Sequence, residues 1–368
     1  MKGCGIGTTT RLAALLAGFV MQPAFADDPA NYLFATSATR PEITIIDGSI
    51  DAVVGRVSLP GLPGDMTVLG RGRWIAVADG KAGRIDLVDV PGRRVERAIA
   101  VPVAPDVLRS DATGATLAAL DPGSGAVALG SIENSALQTV AGIPAATYIV
   151  FDPKGRLLVA HQGGATIVDA TRRKVADLAV DPADGPVTDV AADPGGEYAF
   201  VEQPLRGVVS VFDLRTAARL TVLHPGAPAG RIVPSQDSQF VLVPSGHRSI
   251  SVVSNWTLKE KARIVVDIEP DGVGLALFQS VVTMISQSAR RVILYDLPDE
   301  QQTADIPLPG RPGLSAASSD GSKLYVTLPD TGQVASISLT LRRIEHVIDD
   351  VGTGVSAIMP AVDNGYCH

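Results

Sequence analysis

A period of 41 or 42 residues runs through almost the whole chain and limits what it can fold into. One class of strand candidate opens at Tyr32, Trp74, Thr116, Leu157, Tyr198, Phe240, Val281 and Lys323, at intervals of 42, 42, 41, 41, 42, 41 and 42. The next strand ends at Asp47, Asp89, Ser131, Asp169, Asp213, Ser254, Asp296 and Ser338. A proline precedes the following strand at Pro63, Pro105, Pro144, Pro186, Pro228, Pro270 and Pro312, with Gly354 in the eighth place. Polar turns close several units: DPKGR at 152–156, DPGGE at 193–197, SQDSQ at 235–239 and SDGSK at 319–323. The stretch from Leu157 to Glu197 shows one full period, with strand candidates LLVA, ATIVD, VADLAV and VTDVAA separated by Gly, Pro and Asp. Aliphatic and β-branched runs between such breakers are the sequence signal of strands.

Four short strands per period of about 40 residues predict an all-β fold, a β-propeller of four-stranded antiparallel blades. A single four-stranded sheet cannot bury both faces, so neighbouring units must stack around an axis. With 46% hydrophobic but only 4% aromatic residues, Val, Ile, Leu and Ala have to fill the contacts. Eight units fit between Tyr32 and Asn364, which predicts eight blades, or seven if a terminal unit is irregular. The chain enters on a second strand (NYLFATS) and leaves on an innermost-type strand (VSAIMP, 355–360). The last strand is therefore expected to complete the first blade and close the ring, hiding two edges that would otherwise template aggregation.

The first 26 residues read as a secretory leader: Lys2 and Arg11 in a basic start, an apolar run from Leu12 to Met21, and Ala24-Phe25-Ala26 as cleavage site. Ten apolar residues fall short of the roughly 20 that span a bilayer, so no transmembrane segment is expected. The remainder is read as one propeller domain, 27–363, with a short tail, 364–368, in a periplasmic or secreted protein. Removing Lys2 and Arg11 moves the net charge from −8 to −10. That balance argues against nucleic acid as a partner, since phosphate binding needs a basic face. Cys4 precedes the apolar run, which leaves Cys367 as the mature chain's one cysteine and rules out an intrachain disulfide. No C-x-x-C-H, G-x-S-x-G, P-loop or dinucleotide fingerprint occurs, and five histidines without H-x-H or H-E-x-x-H argue against a dedicated zinc site.

LYVT at 324–327, ITIID at 43–47, VSVFD at 209–213 and DPKGR at 152–156 resemble the YVTN-family β-propeller repeats of exported proteins. Ser131, Ser254 and Ser338 depart from that pattern, which has Asp there. The eight-fold count is also similar to the d-type-haem propeller of periplasmic nitrite reductases and of haem-maturation relatives. The resemblance implies that the loops after each second strand and those before each innermost strand share one face, at the mouth of the channel.

On that face the expected binding residues are His161, Arg206, Arg231, His247 and Arg248, among carboxylates that include Asp65, Asp106, Asp189 and Asp271. Guanidinium groups pair with the carboxylates of an anionic ligand, and His161 or His247 offers an imidazole to iron or to a quinone. His161 follows LLVA and stands ahead of Gly163 and Gly164, which predicts a ring turned from a loop to solvent or the channel mouth. Cys367 and His368 form a candidate soft-metal pair at the C-terminus. The expected function is that of a non-catalytic binding or scaffold protein for a small anionic ligand or a periplasmic protein partner. The alternative is a redox or cofactor-handling protein holding a tetrapyrrole or quinone.

Overall fold

A computed structural model describes residues 29–70, 72–226, 231–245 and 248–362. The expected leader, His247, Pro228, Cys367 and His368 lie outside the described residues. Among these residues thirty-two strands pair into eight four-stranded antiparallel sheets. Each sheet is one blade of a ring, so the count is eight and not seven. In chain order, blade 1 is built on Tyr32–Ser37, blade 2 on Trp74–Asp79, blade 3 on Thr116–Asp121 and blade 4 on Leu157–His161. Blades 5 to 8 are built on Tyr198–Gln203, Phe240–Pro244, Val281–Ser286 and Lys323–Leu328. These second strands begin at the eight positions that the period marks in the sequence.

Second and third strands are buried along nearly their whole length, as in Leu157–His161, Gly164–Val168 and Val208–Asp213. Continuous apolar runs suit strands covered on both faces, whereas alternation suits half-solvated ones. The outer strands do alternate: Arg94–Ala100 (RVERAIA) exposes Arg94, Glu96 and Ala98 and covers Val95, Arg97 and Ile99 in part or in full. The core is divided into eight apolar clusters, each between two adjacent blades. Val201, Phe212 and Leu178 meet between blades 4 and 5, and Tyr325, Leu33 and Ile46 meet between blades 8 and 1. Every blade is thus both wall and core to its neighbours.

The recurrent aspartates are turn caps. Asp152 Oδ1 accepts from the backbone N–H of Lys154 and Arg156, both at 2.9 Å, and Asp213 Oδ1 accepts from Arg215 and Thr216, both at 2.8 Å. Serine does the same work where it replaces Asp: Ser131 Oγ accepts from Glu133 N and Ser338 Oγ from Leu341 N. Short polar side chains compete well for such backbone groups in turns.

The terminal strand Val355–Pro360 pairs with Tyr32–Ser37, with Phe34 opposite Met359 and Ala35 opposite Ile358. Side-chain bonds reinforce the closure: Thr36 Oγ1 lies 3.1 Å from Ser356 Oγ, and Thr44 Oγ1 donates to Val351 O at 3.1 Å. Blade 1 therefore takes three strands from the start of the chain and its innermost strand from the end.

Candidate functional site

The loops after the second strands and the loops leading into innermost strands meet at one end of the ring. In blade 5 the second strand ends in Glu202 and Gln203, followed by the 3-10 turn Pro204–Arg206, which Gly207 closes at φ 61°. Buried Gln203 donates through Nε2 to Asp181 O at 2.6 Å and Gly185 O at 2.8 Å, tying this turn to the loop that enters blade 5. Gly185 sits at φ 97°, where a Cβ would lie 2.7 Å from the Leu205 Cβ, so glycine is needed for the two turns to touch. These contacts fix the side wall of a pocket of about 290 Å³ lined by Thr147, Tyr148, Thr188, Asp189, Glu202, Pro204 and Arg231.

Two guanidinium groups converge on one phenol there. Arg109 of blade 3 donates from Nη2 to Tyr148 Oη at 3.0 Å, and Arg231, on the entry to blade 6, donates from Nη1 to the same oxygen at 2.7 Å. Both cations also lie over the Tyr148 ring, at 5.3 and 4.3 Å from its centroid, where the ring quadrupole attracts them. With both lone pairs of the phenol oxygen engaged, its O–H proton is left to donate. Asp65 holds Arg109 in place by a 2.8 Å ion pair and also accepts from Leu108 N. Burial opposes the charge on Arg109, but Tyr148 and Asp65 outweigh it and hold the guanidinium charged.

Asp189 and Glu202 face each other directly across two strands of blade 5 and are both buried, at 6% and 3% exposure. Like charges at such a pair repel. Asp189 accepts from two backbone groups, Val190 N at 2.9 Å and Ile232 N at 3.3 Å. Burial raises its pKa against the opposing pull of Arg231 and these N–H groups. Glu202 has only the hydrogen bond with Thr188 on its side; burial and then the Asp189 charge push it up to about 8. Among the described residues its buried Oε1 has no hydrogen-bond partner. A more open depression of about 530 Å³ lies on the same face, lined by Gly80, Lys81, Val103 and Ser124 among others. Its lining carboxylate, Asp121, is committed to its own turn through Gly123 N and Ser124 Oγ.

The chain is similar to solved propellers. Dihydro-heme d1 dehydrogenase NirN in complex with DHE superposes with a TM-score of 0.77 at 18% identity, over 94% of this chain and 78% of that one. Apo AztD from Citrobacter koseri gives a TM-score of 0.66 at 13% identity, covering 89% of this chain and 96% of that one. Kuenenia stuttgartiensis hydrazine synthase gives 0.57 at 15% identity, covering 84% and 93%. Identities this low show a shared fold. No protein-family model and no curated protein matches the sequence.

Of the residues expected from sequence, Arg231 lines the pocket and Arg206 stands exposed on the turn that bounds it. Arg248 is exposed on the turn just ahead of Ser249–Ser254, the third strand of blade 6, and does not line the pocket. The expected outward orientation of His161 is corrected by the structure. It is the last residue of its strand and is 8% exposed. Gly163 N donates to its Nδ1 at 3.3 Å, so Nε2 carries the proton toward Thr166 Oγ1 at 3.0 Å, and Thr166 donates onward to Asp177 at 2.9 Å. The two-residue hairpin turn Gln162–Gly163 folds the ring back onto its own blade. Burial lowers the His161 pKa, and Asp177 only partly restores it.

Arg109 and Glu202 were not among the expected binding residues. The signal for Glu202 is positional: it stands fifth in its second strand, where the other blades have Thr36, Ala78, Leu120, His161, Pro244, Ile285 and Thr327.

Proposed function

We propose that this protein is an exported, non-catalytic propeller that binds a small anionic ligand, a carboxylate, in the pocket at the channel mouth. The observation that carries the reading is the convergence of Arg109 and Arg231 on Tyr148, which leaves the phenol proton, and the N–H groups of Arg231 that no described residue takes up, to meet an acid. Arg231 is an exposed residue and accessible to an incoming ligand. The leader-like residues 1–26 support export, and YVTN-type repeats support one propeller domain over 27–363 with periplasmic residence.

A second reading, handling of a tetrapyrrole, is favoured by the resemblance to a dehydrogenase solved in complex with DHE. At about 290 Å³ the pocket lies at the lower end of small-molecule sites. It suits an acid arm rather than a whole macrocycle, so this reading uses the same residues. His247, Arg248 and the Cys367–His368 pair belong to it as further candidate contacts.

The test is calorimetric titration of the mature protein with succinate and with a porphyrin bearing free propionates, alongside an absorption spectrum of protein purified from its own periplasm. Arg231→Ala is expected to weaken binding about 10- to 100-fold, the loss of one charge-assisted hydrogen bond. Equal affinity in wild type and Arg231→Ala would sink the proposal. A Soret band in the native protein would favour the tetrapyrrole reading.

A further inference from the structure

We propose that Glu202 contacts the ligand as a hydrogen-bond donor, so that the pocket takes a carboxylate shared between the Tyr148–Arg231 pair and the Glu202 carboxylic acid. This rests on the carboxylate-binding reading and adds its specificity-determining residue. Three observations carry it. Glu202 is buried at 3% exposure, yet it lines a pocket and its Oε1 meets no hydrogen-bond partner among the described residues. A lone buried oxygen of this kind costs about 1–3 kcal/mol when nothing pairs with it, which points to a group that arrives from outside. Finally, Asp189 is the register partner of Glu202 and is held by two backbone N–H groups. Two apposed carboxyls share one negative charge, and the one whose charged form is held by more hydrogen bonds and by a nearby cation keeps it.

The proton therefore sits on Glu202. The groups around it agree with this. Asp189 faces it from the innermost strand, and Val209 is its apolar neighbour on the third strand. Thr188, Tyr148 and Arg231 complete the pocket wall, with Arg109 behind Tyr148. The cations act chiefly on Asp189, while burial and Asp189 raise Glu202 to about 8. In its acid form Glu202 can donate to an incoming carboxylate, as neutral carboxylic acids do in buried sites. Once ionised it presents a second negative charge beside Asp189 and repels the same ligand. The site thus selects an anion that needs three donors, from Arg231, Tyr148 and Glu202, and releases it in alkali.

The experiment titrates wild type, Glu202→Gln and Arg231→Ala with succinate, with a free-propionate porphyrin and with its dimethyl ester, between about pH 6 and about pH 9.5, spanning the Glu202 transition. Wild-type affinity is expected to fall at least about tenfold across that range, while that of Glu202→Gln, whose amide donates at any pH, no longer follows pH. Binding of succinate alone identifies a small free acid; binding of the free-propionate porphyrin but not its ester identifies a tetrapyrrole arm. A second readout uses wild type only. The titration midpoint of the Glu202 carboxyl carbon, followed by NMR, must rise when succinate is added. An unchanged midpoint, or the same alkaline loss in Glu202→Gln, overturns the role of Glu202 and leaves the carboxylate pocket standing. If neither succinate nor the free-propionate porphyrin binds wild type at low pH, or if the ester binds as tightly as the free acid, the carboxylate reading falls and this inference with it.

Discussion

At the scale of the residue, Glu202 departs from its own repeat as the carboxylate at a position where the other blades hold Thr36, Ala78, Leu120, His161, Pro244, Ile285 and Thr327. Glu202 has a stability signature that needs no ligand. Its folded pKa of about 8 stands above the ordinary 4.5. The folded state therefore holds a proton that the unfolded chain has released between those values, so stability falls as pH rises through that window, by at most about 1.4 kcal/mol per pH unit. Glu202→Gln is expected to flatten this decline in denaturant melts taken between these limits; a slope equal to wild type would show that Glu202 is ionised in the fold. Asp169 works in the opposite sense. The Thr171 hydroxyl and nearby backbone N–H groups hold it at about 2, below the usual 3.8, so its contribution is present above the ordinary value and disappears as pH falls toward 2. Tyr148→Phe removes the oxygen that both guanidiniums share. It is expected to cost about 1–2 kcal/mol and to weaken succinate binding; unaltered binding would mean that the phenol gives no hydrogen bond to the ligand.

At the scale of the element, the strands were legible because burial on both faces leaves a continuous aliphatic signature, and because turn chemistry repeats with the period. DPKGR and DPGGE are capped turns in sequence and in structure. The hairpin Leu157–Val168 shows where local reading ran out. His161 stands beside glycines and looks like a loop residue, but the tight Gln162–Gly163 turn makes it the end of a paired strand, opposite Gly164. Gly164, at φ 143°, would place a Cβ 2.1 Å from Leu178 O. Gly164→Ala should therefore break the pairing of the last two strands of blade 4 and destabilise the protein by several kcal/mol, on the order of 3 or more for a strained backbone with lost hydrogen bonds. A melting temperature within a degree or two of wild type would contradict that register. The convergence of Arg109, Tyr148 and Arg231 was beyond reach from sequence, because it joins blades 3, 4 and 6. Arg231 contacts a side chain 83 residues earlier, and no periodicity states which blade tips lean together.

At the scale of the molecule, the ring is what makes a rigid pocket out of short loops. Eight inter-blade clusters run around it, and the one between blades 8 and 1 includes Val355 and Ile358 of the terminal strand. Ending the chain after Thr353 removes that strand, and with it the pairing to Tyr32–Ser37. Such a truncation is expected to melt far below the full-length protein, because it exposes the edge of blade 1 and opens the cluster beside it. The number of blades, their phase and this closure were legible in the sequence, since each follows from the period and from where the chain enters it. The site was legible only in part: Arg231 and Asp189 fell in the class of residues before innermost strands, whereas Glu202 emerges on comparing the fifth position of every second strand. On the reading proposed above, Arg231, Tyr148 and Glu202 build one carboxylate site. A crystal structure of the protein grown with succinate at about pH 6, where Glu202 keeps its proton, tests it most directly. A carboxylate is expected within hydrogen-bond distance of Arg231, Tyr148 and Glu202; succinate bound elsewhere, with this pocket left without it, would contradict the site.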